Sequence, residues 1–380
     1  MVVRLSGIRL VVRRALWGCV LATPLLTPAC KTDTGPIGGG LSLLWVSPKA
    51  QASADWVGGA PAVDGGRVFV QEGNQLVALD AASGARLWSR QVRVAQAPPP
   101  TTLRASNGVL YLSETDSIMA VNDATGATVW TVHPDSQAIV EPALDATTFY
   151  TGQRGVPVVY ALARTDGRVR WKVNLGIGYT FLAHVHGVAV AGDTVYASVE
   201  RYLNLNGATV RGVLVALASS DGHELWRYET PGTHDFLLDA PIPVGRLIIV
   251  NDFYAGDMVA VDMVTHQEVW RTPVGGSEGE VLVGQTLFAA GVDTHIRAID
   301  VATGAVKWST STGSSPFGVG ACGSNAYASA FTLRRYDQAT GALTADEHLG
   351  PADGGFVSQI ANDGADVFVA GSMGVAAFRC

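Results

Sequence analysis

One short phrase recurs along this chain, and it limits the fold more than any composition figure does. Its full form stands once, as Ala298-x-Asp300-x-x-Thr303-Gly304-x-x-x-Trp308. Partial copies run through Asp80, Gly84 and Trp88, through Asn122, Gly126 and Trp130, and through Gly167 and Trp171. Others hold Gly222 and Trp226, Asp262 and Trp270, and Asp337 with Gly341. The tryptophans return roughly every 40 residues, and Trp45 extends the series backwards; such a period describes a ring or stack of like units.

Each copy reads as strand, tight turn, strand. An apolar run such as Gln75–Asp80 ends on an Asp or Asn that can start a turn by bonding its own backbone. The later Gly supplies a positive φ. Trp follows four residues on, and the Ala ten residues before it leaves room for a bulky neighbour, so the Trp of one unit is expected to pack into a gap left by small residues of the next. Further apolar segments upstream, such as Val109–Leu112 and Val367–Ala370, bring each unit to four short strands, one propeller blade.

Gly374–Arg379 reads as the third strand of a blade that lacks its fourth, and Leu41–Val46 reads as a lone fourth strand. Pairing the two closes an all-β, eight-bladed β-propeller over residues 41–380 and hides both edges. Six blades end in Trp88, Trp130, Trp171, Trp226, Trp270 and Trp308; a seventh carries Ala345 instead, and is expected to be looser; Trp45 closes the eighth. A capped solenoid is the alternative, and the split unit argues against it.

Residues 1–30 read as a targeting segment, with Arg4, Arg9, Arg13 and Arg14 ahead of an apolar stretch too short to span a bilayer stably. Leu25-Leu-Thr-Pro-Ala-Cys30 resembles a bacterial lipobox, which implies lipidation of Cys30, with ordinary signal-peptide cleavage as the alternative. Residues 31–40 form a flexible tether, and Lys31 after the Cys favours the outer membrane, by analogy with enterobacterial lipoproteins. A formal net charge of −7 with scattered Lys and Arg argues against a nucleic-acid partner. In an exported chain Cys322 and Cys380, from adjacent blades at the closure, are candidates for a disulfide, two buried thiols being the alternative.

The repeated phrase resembles the tryptophan-docking repeat of quinoprotein-type (PQQ-like) propellers, which include dehydrogenases and non-catalytic proteins such as the outer-membrane assembly lipoprotein BamB. The dehydrogenase likeness implies pyrroloquinoline quinone with calcium, and it lacks support in the residues. No two cysteines are adjacent, and no Glu, Asn and Asp set for calcium can be placed on a motif. The BamB likeness implies a non-catalytic, lipid-anchored envelope scaffold facing the periplasm, with other envelope proteins, including outer-membrane assembly components, as partners. It implies no cofactor and transfers no individual binding residue.

A propeller's natural ligand site is the mouth of its central channel, lined by each blade's innermost strand. Candidate funnel residues are Trp56, Glu141, Phe181, His184, His186, His234, Asp235, Asp239, Glu280 and Gln359. His184 and His186 alternate onto one strand face, a geometry a metal could use with Asp235 or Asp239 as third ligand. Two hydrogen-bonded histidines are the simpler reading, and no metal is expected. The acidic funnel reads first as a wet channel lining and second as a cation or sugar site. No nucleophile elbow, phosphate-binding loop or dinucleotide fingerprint occurs, and Gly38–Gly40 and Gly275-Gly276 read as tether and turn. The interval from Trp171 to Trp226 is the longest, at 55 residues, and holds Asn206-Gly207, a strong hairpin turn. A projecting hairpin exposing Tyr202, Leu203, Leu205 and Val210 would offer a partner an edge strand and an apolar face; an inert long loop is the alternative.

Overall fold

A computed structural model describes residues 40–380, except 49–56, 94–102, 114–116, 135–139, 154, 178–182, 204–208, 233–234, 236, 349–354 and 372–373. Cys30, Trp56, Phe181, Leu205 and His234 therefore lie outside the described residues, as does the tether up to residue 39.

Every named element is a β-strand, and the strands form eight four-stranded antiparallel sheets. Blades 1 to 7 span residues 57–91, 104–132, 143–174, 183–229, 237–273, 277–311 and 318–347. The eighth takes three strands from 356–379 and its fourth, Leu43–Pro48, from the start of the ring, with Trp45 opposite Ala377. The chain is thus an eight-bladed β-propeller with a split closing blade.

The cores lie between blades. One cluster joins Val68, Val77 and Leu79 of blade 1 to Phe368, Ala370 and Ala377 of blade 8, and another joins Phe69 and Leu76 to Leu110 and Val121 of blade 2. Middle strands have a neighbouring blade on each side, so Val158–Ala163 is buried along its whole length. Such strands read as continuous apolar runs. Outermost strands such as Val306–Ser311 expose most of their positions.

The repeated phrase is a docking device. Asp300 Oδ1 accepts bonds from the Thr303 amide and hydroxyl at 3.1 and 2.9 Å, and Asn122 and Asp337 hold Thr125 and Thr340 likewise. This turn presents the next glycine at positive φ, 72° at Gly304. The preceding blade's indole then lies flat on that glycine: a Cβ at Gly304 would sit 2.7 Å from the Trp270 ring. Trp45, Trp88, Trp130, Trp171, Trp270 and Trp308 also donate to the carbonyl three residues before that glycine, Trp270 to Val301 at 2.8 Å and Trp308 to Gln338 at 2.9 Å. The gap that receives the Trp is therefore this glycine. The Ala ten residues before each Trp faces the same blade's own indole across the sheet, as Ala298 does Trp308. Blade 5 departs from the rule: His266 takes the glycine position at φ 59°, and Trp226 stacks on its ring, centroids 4.7 Å apart.

In blade 4 the first three strands, Ala183–Ala191, Thr194–Tyr202 and Val210–Ala218, are nine residues long, where most others have five or six. The insertion is thus a lengthening of the whole sheet, which corrects two expectations. Val210 is buried, because it pairs with Tyr202 inside the ladder and its carbonyl receives the Asp235 amide at 3.2 Å. Among the described residues no edge strand is on offer either: Ala183 and His184 pair with Arg201 and Glu200 on one side, and Thr230 bonds Gly212 on the other. The strands are joined up to the Leu203–Thr209 backbone bond, and residues 204–208 lie outside the described ones.

Candidate functional site

The innermost strands bring part of the expected funnel together. Glu141 is stitched by its backbone to blade 4, bonding His186 and Val188, and its carboxylate pairs with Arg104 of blade 2. The second carboxylate oxygen accepts the Ala240 amide of blade 5 at 3.3 Å. This reach past blade 4 is possible because Gly187 stands between: a Cβ there would lie 2.4 Å from the Ala240 backbone. The pattern recurs across the ring, where Gln359 of blade 8 passes Gly318 of blade 7 to donate to the Glu278 carbonyl of blade 6 at 2.8 Å. Glycines in blades 4 and 7 thus let next-but-one blades touch, and the inner wall draws together at these two places.

Between these crossings lies an acidic group. Asp239, at φ 62°, faces Asn251, whose amide donates to it at 3.3 Å and to the Ser277 carbonyl at 2.9 Å. Glu280 accepts from the Ser277 hydroxyl at 3.0 Å. Water still reaches both carboxyls, but enclosure by the wall, together with the Glu141 charge, pushes Asp239 up to about 7. Glu280 is raised well above the usual carboxylate range, first by enclosure and then by Asp239. The buried Asn251 Oδ1 has no hydrogen-bond partner among the described residues. Arg104, Asn251, Ser277 and Glu278 were not among the expected funnel residues. Asn251 carried a signal, as a polar residue closing the apolar run Leu247–Val250.

His184 and His186 do share a face, their ring centroids 6.2 Å apart. His184 Nδ1 accepts the Gly155 amide at 2.7 Å, and His186 Nε2 lies 3.0 Å from the Glu200 carboxylate, both groups buried. Burial works to raise Glu200, and bonds from His186 and Tyr202 outweigh it, leaving the carboxyl below its ordinary value. Asp235 bonds Gly232 within its own loop at 2.6 Å. Among the described residues, no three His, Cys, Asp or Glu side chains are arranged to hold a metal ion.

A second feature is visible only in the ring. In antiparallel blades built alike, all turns after the second strand fall on one face, and the docking turns fall on the other. On that first face blade 4 carries the hairpin with half-buried Tyr202 and Leu203. Blades 5, 6 and 7 follow with Tyr254, Val292 and Phe331, exposed by 65%, 44% and 49%. Phe331 sits at φ 65°, a costly conformation for a bulky residue, with its ring edge-on to Phe317 at 5.0 Å. Nearby charges are matched: Arg201 with Glu229, Arg271 with Asp252 and Asp257, Arg297 with Asp293. Four consecutive blades therefore present an apolar arc of low net charge.

The chain is similar to tetrathionate hydrolase of Acidithiobacillus ferrooxidans, 26% identical over 47% of this chain and 41% of that protein. It is also similar to the outer membrane protein assembly factor BamB of Moranella endobia, 22% identical over 65% of this chain and 66% of the relative. The chain thus spans less than half of the hydrolase and just under two thirds of that BamB. Among solved structures, BamB from Moraxella catarrhalis superposes with a TM-score of 0.67 at 11% identity, covering 90% of this chain and all of that one, a likeness of fold. The profile of one family matches residues 42–156, 114–280 and 156–330, most of the propeller. By that match the chain belongs to the PQQ-like propeller family described as outer membrane protein assembly factor BamB.

Proposed function

We propose that this chain is a non-catalytic, lipid-anchored scaffold of the bacterial cell envelope, docking partner proteins through the turn face of blades 4 to 7. The observation that carries this reading is the apolar arc of Tyr254, Val292 and Phe331 beside the blade 4 hairpin. Exposed apolar side chains that recur on one face of successive blades suit an interaction surface. Family membership supports an interaction role, and outer-membrane assembly components are the proposed partners. Cys30 is the proposed lipid attachment, at the periplasmic side of the outer membrane. The described ring begins at Leu41 on the docking-turn face, the face opposite the arc.

The test is recovery of outer-membrane assembly components with the membrane-extracted protein. Tyr254→Ser with Phe331→Ser is expected to cut recovery at least about tenfold, the cost of losing two buried aromatic anchors. Undiminished recovery contradicts the arc.

A second reading, a small-molecule site in the channel, has one observation in its favour: the raised carboxyls of Asp239 and Glu280 beside the unpartnered Asn251 Oδ1. Such a group suits a cation or a sugar hydroxyl. It suits a quinone poorly, because the Glu141 and Gln359 bonds reach across the inner wall and the ring's two cysteines are joined to each other between blades 7 and 8. Calorimetry with calcium and with simple sugars tests it, and heats no greater than dilution remove it.

A further inference from the structure

The junction between blades 7 and 8 departs from the docking rule in three places at once. Ala345 stands where the indole belongs, opposite Arg335 in the sheet. Leu41 stands where the receiving glycine belongs: it precedes Trp45 by four residues as Gly84 precedes Trp88, and the Arg379–Ser42 backbone bond repeats the Asp80–Ala85 bond. Cys380 stands where Ala81 supplies the carbonyl acceptor to Trp45, since its amide bonds Ala365 as the Ala81 amide bonds Gly66. Its sulfur is bonded to Cys322 of blade 7, with the two Cα atoms 5.5 Å apart.

These departures depend on one another. Any Cβ at a docking glycine meets the indole, 2.5 Å away at Gly84 and at Gly341. His266 meets Trp226 there only by stacking ring on ring, which an aliphatic side chain cannot do, so Leu41 and a tryptophan at position 345 compete for one space. Instead Leu41 is buried in one cluster with Ala345, Cys322, Ile360 and Phe378, against which Cys380 packs. The leucine side chain fills the space of the missing ring, and the sulfur bridge takes over the cross-blade bond that an indole N–H makes elsewhere.

We propose that Cys322, Cys380 and Leu41 form an oxidation-dependent latch that closes the ring where tryptophan docking is absent. This is the junction that most needs one. Pairing Leu43–Pro48 with Gly374–Arg379 joins stretches from opposite ends of the ring sequence, and no short turn holds them together. The bridge ties the last strand to blade 7 and so fixes the platform on which the closing strand pairs. A dithiol opens it by supplying two electrons and two protons, giving two thiols and a cyclic disulfide of the reductant. The ring is therefore complete in an oxidising compartment and weak at one seam in a reducing one.

The test compares the intact oxidised protein with and without dithiothreitol. Reduction is expected to lower Tm by about 5 °C and to raise amide exchange about tenfold in Leu43–Pro48 and Gly374–Arg379. Exchange in Glu268–Pro273, docked through Trp270, should not change. Equal Tm and equal exchange in both states overturn the latch, as does a rise spread evenly around the ring. A second arm restores the docking rule with Leu41→Gly and Ala345→Trp. In that variant the reductant should shift Tm by less than half as much, and an undiminished shift contradicts the substitution of latch for indole.

Discussion

The two faces of this ring are built on opposite principles. On the docking face blades 1 to 7 repeat one turn, and most junctions repeat one contact, indole on glycine with a bond to the next carbonyl. On the opposite face the turns differ from blade to blade, from Gly73-Asn74 in blade 1 to the long hairpin of blade 4 and the strained Phe331 of blade 7. The first face spreads stability over many equal contacts. The second is free to vary because little of the fold depends on it, and that freedom suits a surface that recognises something. Strain tolerated in an exposed aromatic belongs to the same logic.

This contrast can be broken most easily by cutting a docked junction. Trp308→Ala should cost about 3–5 kcal/mol in chemical denaturation, through lost packing and a lost bond to Gln338. A loss under about 1 kcal/mol would mean that the docking face is decoration. Gly341→Ala attacks the same contact from the other side. It places a Cβ 2.5 Å from the Trp308 ring at a φ of 72°, and should cost about 2–3 kcal/mol. His266 already occupies such a position, and Trp226 meets it by stacking above the ring. His266→Ala should therefore cost only about 1 kcal/mol, the worth of an aromatic pair.

Acid–base behaviour separates the docking turns from the channel. Asp80, Asp300 and Asp337 are held below their ordinary 3.8 by bonds from Ser83, Thr303 and Thr340. Their stabilisation is present above the unfolded value and is lost as pH falls through the folded one. Asp239 works the other way: raised from 3.8 to about 7, it makes the folded chain bind more protons across that range, so stability falls as pH rises through it. From these groups Tm should accordingly peak near the ordinary carboxylate range, about pH 4, and fall toward pH 8. Asp239→Asn keeps a residue tolerant of the left-handed φ and should raise Tm at pH 8 while leaving it unchanged at pH 4. An equal effect at both pH values would remove the channel from this account.

The smallest stability effects are expected on the turn face. Shortening the hairpin by replacing residues 204–208 with two glycines should change stability by no more than about 0.5 kcal/mol. Phe331→Gly relieves a left-handed phenylalanine and should stay within about 1 kcal/mol of the parent. A loss comparable to that of Trp308→Ala would make this face structural and end the contrast.

Much of the docking face was legible in the sequence because Asp, Thr, Gly and Trp do the same local work in each copy. The partner of the indole was less so. Ala and Gly are both small, and only the sheet register shows that Ala298 faces its own Trp while Gly304 receives the neighbour's. The exchange of Leu41 for glycine and Ala345 for tryptophan was hidden by about 300 residues of separation, although each was visible alone. Glu141, Asp239, Glu280 and Gln359 were legible as inner-strand polar residues. Their crossings over Gly187 and Gly318 were not, since they depend on how closely blades converge. The apolar arc left no signal in any single turn, because only the blade order shows that the turns holding Tyr254, Val292 and Phe331 share one face.

The most direct test of the docking surface is in-cell photo-crosslinking from the two faces of one ring. Position 331, on the arc, is compared with position 264, where Val264 is 67% exposed in the docking turn of blade 5. The account predicts crosslinks to outer-membrane assembly components from 331 and none from 264. Crosslinks of equal yield from both positions, or from 264 alone, would contradict it.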